Sequence, residues 1–212
     1  MTYEASVISQ TAIAKRAMSD PKDPMPFDAE ADLLRRYASG DAAAARLLAT
    51  QLTPRVYGQA VRVLGNAAEA EDVSQEAMMR LWRAAPEWRA GEARVSTWLY
   101  RVVANLCTDR LRKRRTAPLD EVAEPADPQP SAEAQMQQAA RADALQAALN
   151  TLPERQRQAV VLRHLEGLSN PEIADILEIG VEAVESLTAR GKRALKQALS
   201  GQRDALGFSN DG

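Results

Sequence analysis

Trp98, Arg101, Asn105, Thr108 and Arg112 follow one another at spacings of +3, +4, +3 and +4, which brings side chains onto one face of an α-helix. The stripe joins an indole ring, an amide, a hydroxyl and two guanidinium groups, and Lys113 follows at its end. Aromatic and guanidinium planes stack on unpaired bases at about 1–3 kcal/mol each, an amide reads a base edge, and a cation neutralises phosphate. The stripe therefore suits single-stranded nucleic acid. Its alternative is a Trp98 packed against a neighbouring helix beside solvated arginines. A second stretch, from Asn66 to Trp82, sets Asp72, Gln75, Glu76 and Met79 opposite Ala70, Val73, Ala77 and Leu81, as the helical period requires. An acid, amide and acid on one face form either an ordinary solvated surface or a docking site for a basic partner. Other chemistry is missing: no Gly-rich phosphate loop, nucleophile elbow or metal-ligand spacing occurs, so neither an enzyme nor a cofactor or metal is expected. The single Cys107 has no partner in the chain for a disulfide, and it and the single His164 read as packing residues.

The elements that must position these groups are helical. Ala, Leu, Arg and Glu dominate and apolar-polar alternation is absent, so the fold class is all-α. Asn66-Ala-Ala-Glu69 is a capping-box-like start for the acidic-faced helix, and Ser96 or Thr97 is placed to cap the next, whose apolar side holds Leu99, Val102, Val103, Leu106 and Cys107. Further on, Thr151-Leu-Pro-Glu154 and Ser169-Asn-Pro-Glu172 are both S/T-x-x-E boxes with Pro in the first turn. The short helix after the second box runs into Glu178-Ile-Gly-Val181, where Gly180 is suited to a positive φ, and then into a helix from about Glu182 to Leu199. Helix, tight turn and helix make a helix-turn-helix. In its last helix Val184, Leu187, Thr188, Gly191, Leu195 and Ala198 point inward. Glu182, Ser186, Arg190, Arg193 and Gln197 point outward, with Lys192 and Lys196 on a flank.

Charge divides the chain. Residues 31–115 hold 15 Lys/Arg against 9 Asp/Glu, residues 116–140 hold five acids and no Lys or Arg, and residues 141–200 balance at eight of each. The stretch around Pro118, Pro125, Pro128 and Pro130 is acidic and poor in large apolar residues, a composition that does not fold alone. The expected organisation is a flexible tail over 1–27, a helical domain over 28–115, an acidic linker over 116–138, a helix-turn-helix domain over 139–201 and a tail over 202–212. Nothing in the linker fixes one domain against the other, so each is expected to fold by itself. No run approaches the roughly 18 apolar residues of a membrane span and the N-terminus lacks a signal-peptide core. A cytoplasmic location and no direct membrane insertion are expected, with translation starting at Met1 or Met18.

Taken in order, these pieces resemble the extracytoplasmic-function (ECF) sigma factors of bacterial RNA polymerase, over about Ala31 to Leu199. EDVSQEAMMRLW resembles the family's D-x-x-Q-E helix, STWLYRVVANLCTDRLRKRR its minus-ten reading helix, and LPERQRQAVVLRHLEGLSNPEIADILEIGVEAVESLTARGKRAL its second domain. The resemblance implies that Asp72, Gln75, Glu76 and Met79 dock on the polymerase β′ clamp. It implies that Trp98, Arg101, Asn105, Thr108, Arg112 and Lys113 face minus-ten DNA, and that Glu87, Trp88 and Arg89 open a loop holding a flipped base. Glu182, Glu185, Ser186, Arg190, Arg193 and Lys196 would face minus-thirty-five DNA. Core RNA polymerase (β′ clamp and β flap), promoter DNA and an anti-sigma factor are the implied partners, with no small-molecule substrate, and a stress response is the implied setting. A helix-turn-helix regulator acting without polymerase is the competing reading. The chain departs from the family pattern at Glu185, at Leu187-Thr188, and at Gly191, a mid-helix glycine that costs about 1 kcal/mol of helix propensity.

Overall fold

The computed structural model describes residues 29–89, 91, 93–116 and 133–200. The two expected tails and the proline-rich part of the linker lie outside the described residues, as do both candidate start positions. All regular structure among the described residues is helical. The first unit contains α1 (Ala29–Ala38), α2 (Ala42–Leu64), α3 (Ala67–Ala84) with a 3₁₀ turn at Ala85–Glu87, and α4 (Val95–Thr116). The second contains α5 (Glu133–Asn150), α6 (Glu154–Val160) running into a π-helical turn at Val161–Leu165, α7 (Asn170–Leu177) and α8 (Val181–Ser200). Helix α5 begins inside the span assigned to the linker, because Pro130 is its last helix breaker and the Ala- and Gln-rich run that follows favours helix.

Local chemistry sets the boundaries. Asp41 starts α2 by accepting from the amides of Ala43 at 2.9 Å and Ala44 at 3.2 Å, and Arg36 and those amides hold its carboxyl below the usual carboxylate range. Gly65 ends α2 with φ 65°, a left-handed turn that glycine adopts without strain. Asn66 Oδ1 caps α3 by accepting from Glu69 N. The cap of α4 comes from a distance: Glu30 of α1 accepts from Ser96 N at 3.0 Å while pairing with Arg55, so neither Ser96 nor Thr97 takes that role.

The two S/T-x-x-E boxes behave differently. Ser169 and Glu172 form the reciprocal box at the start of α7. Thr151 does not cap α6, whose N-cap is Pro153; its hydroxyl donates to Ala148 O at 2.7 Å and its amide to the same carbonyl. The end of α5 has claimed it. At the helix-turn-helix the positive φ falls on Glu178 (54°), not on Gly180, and the Gly180 carbonyl accepts the first amides of α8 from Ala183 and Val184.

The two units pack together, which the sequence reading did not anticipate. Leu48, Leu52, Val73, Leu81, Leu99 and Val103 of the first unit share one buried cluster with Leu149, Leu152, Val160 and Val161 of the second. A smaller cluster sets Tyr100 and Ala104 of α4 against Leu162, Ile173, Ile176 and Val184. Helix α4 is thus buried on two sides, one in its own unit and one against the other.

Candidate nucleic-acid interface

On α3 the period places groups as expected: Val73, Ala77 and Leu81 are buried, Asp72 and Gln75 are exposed, and Glu76 is half-buried. Among the described residues, Met79 is one of the few large apolar side chains left exposed, at 46%. Arg110 donates to Asp72 at 3.2 Å and Arg80 to Glu76 at 2.8 Å. These pairs are solvent-facing and weakly held, so the carboxylates remain available to an external cation.

The α4 stripe is divided. Asn105, Arg112 and Lys113 are exposed, with Arg112 donating to Asp109 at 2.8 Å. Trp98 is half-buried and meets Trp88 edge to face, centroids 5.7 Å apart at 89°, an arrangement that favours ring pairs. Trp98 thus packs on Trp88 while part of its ring stays accessible. Trp88 Nε1 is buried without a hydrogen-bond partner, while Glu87 and Arg89 beside it are exposed. Arg101 and Thr108 turn to the second unit: Arg101 Nη2 donates to Asp175 O at 2.5 Å, and Thr108 Oγ1 accepts from Gln158 Nε2 at 2.9 Å. Cys107 lies in the core, where burial pushes its thiol up to about 12, so it stays protonated and unreactive.

On α8, Glu182, Glu185, Ser186, Arg190, Arg193 and Lys196 are all exposed, as is Gln197. Arg190 is folded back on its helix, Nη2 donating to Ser186 Oγ at 2.7 Å, and Glu185 accepts from Asn170 at 3.5 Å. Val184, Thr188 and Gly191 are buried, Leu187 and Leu195 half-buried, and Ala198 is exposed rather than inward. Two departures from the family pattern acquire a physical reason here. Thr188 satisfies its buried hydroxyl on Val184 O at 2.8 Å. A Cβ on Gly191 would lie 2.5 Å from Val160 Cγ2, so glycine lets α8 approach α6. His164 is exposed rather than packed. Partial burial, with Lys192 and Arg163 nearby, holds its imidazole below the ordinary value.

Sequence reasoning missed the residues that join the units. The Glu166 side chain is 8% exposed and accepts from Arg62 Nη1 at 2.9 Å and from the Tyr100 hydroxyl at 3.0 Å. Burial and the Glu166 carboxylate raise the Tyr100 hydroxyl well above its ordinary value, so it remains a donor. Arg157 donates to Val63 O at 2.6 Å, and Arg115 pairs with Glu154. The one local signal was Gln158, a polar residue ahead of an apolar run and 4% exposed. Among the described residues no group of His, Cys, Asp and Glu could hold a metal ion, and no helix is long and apolar enough to cross a membrane.

The two helical units, the first carrying an aromatic and basic helix and the second a helix-turn-helix, each match a sigma-70 family. Residues 48–117 match the Sigma-70 region 2 family and residues 142–195 the Sigma-70, region 4 family. The ECF RNA polymerase sigma factor SigM of Mycobacterium tuberculosis is 35% identical over 177 residues, 80% of this chain and 84% of that protein. SigE of Mycolicibacterium smegmatis, also an ECF RNA polymerase sigma factor, is 36% identical over 170 residues, 77% of this chain and 65% of the relative's length. Among solved structures, CnrH in complex with the cytosolic domain of CnrY superposes with a TM-score of 0.61 at 26% identity, covering 82% of this chain and 99% of that one. This chain belongs to the ECF sigma factor family.

Proposed function

We propose that this chain binds core RNA polymerase and directs promoter-specific transcription initiation by dividing the task among three helices. The α3 face of Asp72, Gln75, Glu76 and Met79 docks on a basic surface of the β′ clamp. Its exposed carboxylates supply charge-assisted hydrogen bonds, and Met79 supplies an adaptable apolar contact. Helix α4 engages minus-ten DNA through Trp98, Arg101, Asn105, Thr108, Arg112 and Lys113, and the turn at Glu87, Trp88 and Arg89 receives an unstacked base. Helix α8 enters the major groove of minus-thirty-five DNA with Glu182, Glu185, Ser186, Arg190, Arg193 and Lys196. The second unit also meets the β flap. The role is binding throughout, with no chemical step assigned to the chain.

The observation that carries this reading is the exposure, in one sigma-family chain, of the acidic face of α3 and the outward face of α8, with Asn105, Arg112 and Lys113 of α4 exposed between them in sequence. Control by an anti-sigma factor in a stress response belongs to the same proposal; the similar CnrH is itself held in a complex with the cytosolic domain of CnrY. Run-off transcription with core enzyme on a library of genomic promoters tests it. Initiation confined to a subset of promoters sharing minus-ten and minus-thirty-five elements is the expected result. Transcripts that do not depend on this chain would overturn it.

A further inference from the structure

Three arginines outside the promoter- and polymerase-facing sets meet at one recess. Arg114 and Arg115, on the last turn of α4, and Arg157 of α6 line it together with Leu111, Pro153 and Glu154. Its volume is about 410 Å³, inside the range of roughly 300–1,000 Å³ that small-molecule sites occupy and far more than a single phosphate fills. Three cations against one carboxylate leave the lining positive.

That charge is only partly answered within the fold. Arg157 directs its Nη groups at the carbonyls of Val63, Asn150 and Leu152, which are uncharged, and its Nε is buried without a partner. Burial holds this guanidinium below its ordinary value; Glu154 opposes that, and the like charge of Arg114 reinforces it. An arginine stays protonated even so, and like charges held near each other favour an anion between them. Arg114 bonds Glu69 through Nε and Leu64 O through Nη1, while Arg115 pairs with Glu154 through Nη2 and sets its Nε 3.5 Å from Leu111 O. Arg114 Nη2 and Arg115 Nη1 are left as donors without a partner among the described residues. The guanidinium fork matches phosphate oxygens in pairs, and the Glu154 carboxylate already seated on Arg115 shows that this cation takes an anionic oxygen.

Leu111 and Pro153 supply an apolar part of the lining. An anion using the arginines alone would leave it in water, whereas a planar base can lie on it and on the guanidinium planes. A DNA backbone fits the recess less well, because its phosphates are evenly spaced along a line and these cations arrive at one place from two separate helices.

We propose that the recess between the end of α4 and the start of α6 binds a nucleoside di- or triphosphate, with its phosphates on Arg114, Arg115 and Arg157, its base on Leu111 and Pro153, and Glu154 as the carboxylate it displaces from Arg115.

Isothermal titration calorimetry of the full chain in magnesium-free buffer, with ATP, GTP, pyrophosphate and adenosine as separate titrants, tests the site. Saturable one-site binding of ATP or GTP is expected, with pyrophosphate weaker and adenosine silent. Arg115→Ala should weaken the nucleotide by about tenfold, the worth of one charged hydrogen bond, and Glu154→Gln should tighten it. Both substitutions break the same ion pair, so a merely structural role would move affinity in one direction for both. Arg35→Ala, an equal loss of charge on an exposed part of α1, should leave affinity unchanged. Circular dichroism checks that each variant is folded. Failure of every phosphate titrant to saturate the native chain would overturn the proposal, as would pyrophosphate binding as tight as that of ATP and GTP, which would leave the base without a place. Weakening by both Arg115→Ala and Glu154→Gln, or equal weakening by Arg115→Ala and Arg35→Ala, would overturn it as well.

Discussion

Gly191→Ala should destabilise the protein even though it replaces glycine by the best helix former in the middle of a helix. Propensity alone favours alanine by about 1 kcal/mol. The new Cβ, however, would sit 2.5 Å from Val160 Cγ2 and 3.4 Å from Gln156 O. Carbon atoms rest about 3.5–4.0 Å apart, so the first contact is short by about 1 Å, and Val160 is only 2% exposed with little space to swing into. Overpacking of this kind costs about 1–3 kcal/mol, leaving a net loss of about 1 kcal/mol. Val160→Ala removes two buried methyl groups, about 1.6 kcal/mol from transfer with a further cavity contribution. In the double variant the methyl introduced on α8 occupies part of the space left at Val160. The two effects should then be non-additive by at least about 1 kcal/mol in the favourable direction. Urea denaturation of the four proteins measures the cycle. A Gly191→Ala chain stabilised by the full propensity gain, or a cycle with no coupling, would refute the account of why glycine stands on α8.

Asp72→Arg with Glu76→Arg should leave circular dichroism unchanged, since only exposed ion pairs of about 0–1 kcal/mol each are lost, and should abolish pull-down of core polymerase; a folded variant that still binds would remove the clamp assignment of α3. Asn105→Ala should lower permanganate reactivity of the promoter more than duplex capture in a gel shift, with stability within about 0.5 kcal/mol of native because the residue is exposed; equal effects in the two assays would contradict its single-strand role. Trp98→Ala should show the same imbalance plus a loss of stability, because the ring also packs on Trp88. Glu172 is subject to burial, which pushes its carboxyl up, but the Ser169 hydroxyl, the Ser169 amide and Arg94 outweigh this and hold it below the ordinary value of 4.5. A carboxylate lowered by folding contributes stability above its unfolded pKa and loses it as pH falls. The deficit of Glu172→Gln, about 1 kcal/mol at neutral pH, should therefore shrink progressively below about pH 4.5; a deficit independent of pH would rule out the ionised capping box.

Interactions closed within one turn were legible in the sequence. Ser169 and Glu172 need only each other and the backbone between them, and the buried Val73, Ala77 and Leu81 follow from period alone. The outward residues of α8 were legible for the same reason. Where two local solutions compete, sequence was not decisive. Thr151 could cap α6 or close α5, and it closes α5. Glycine favours a left-handed turn, but the turn's position is fixed by Ile179 N donating to Ala174 O, which puts the strained φ on Glu178. Partners far along the chain left no trace in any window. Glu30 capping α4, and Arg62 and Tyr100 converging on Glu166, involve residues that read as an ordinary polar surface until α4 is seen to be buried on both sides.

The π-helical turn at Val161–Leu165 carries a consequence at the level of the gene. A wide turn of this kind, closed here by Glu166 N donating to Val161 O, is what a helix becomes when one extra residue is accommodated without breaking it. In coding terms it holds one codon more than regular winding would need. Losing that codon would restore the regular winding and rotate everything downstream by about 100° relative to α6. Glu166, the next residue, would swing away from Arg62 and Tyr100. A chain shortened by one codon between Val161 and Ser169 should therefore lose the carboxylate that bridges its two halves.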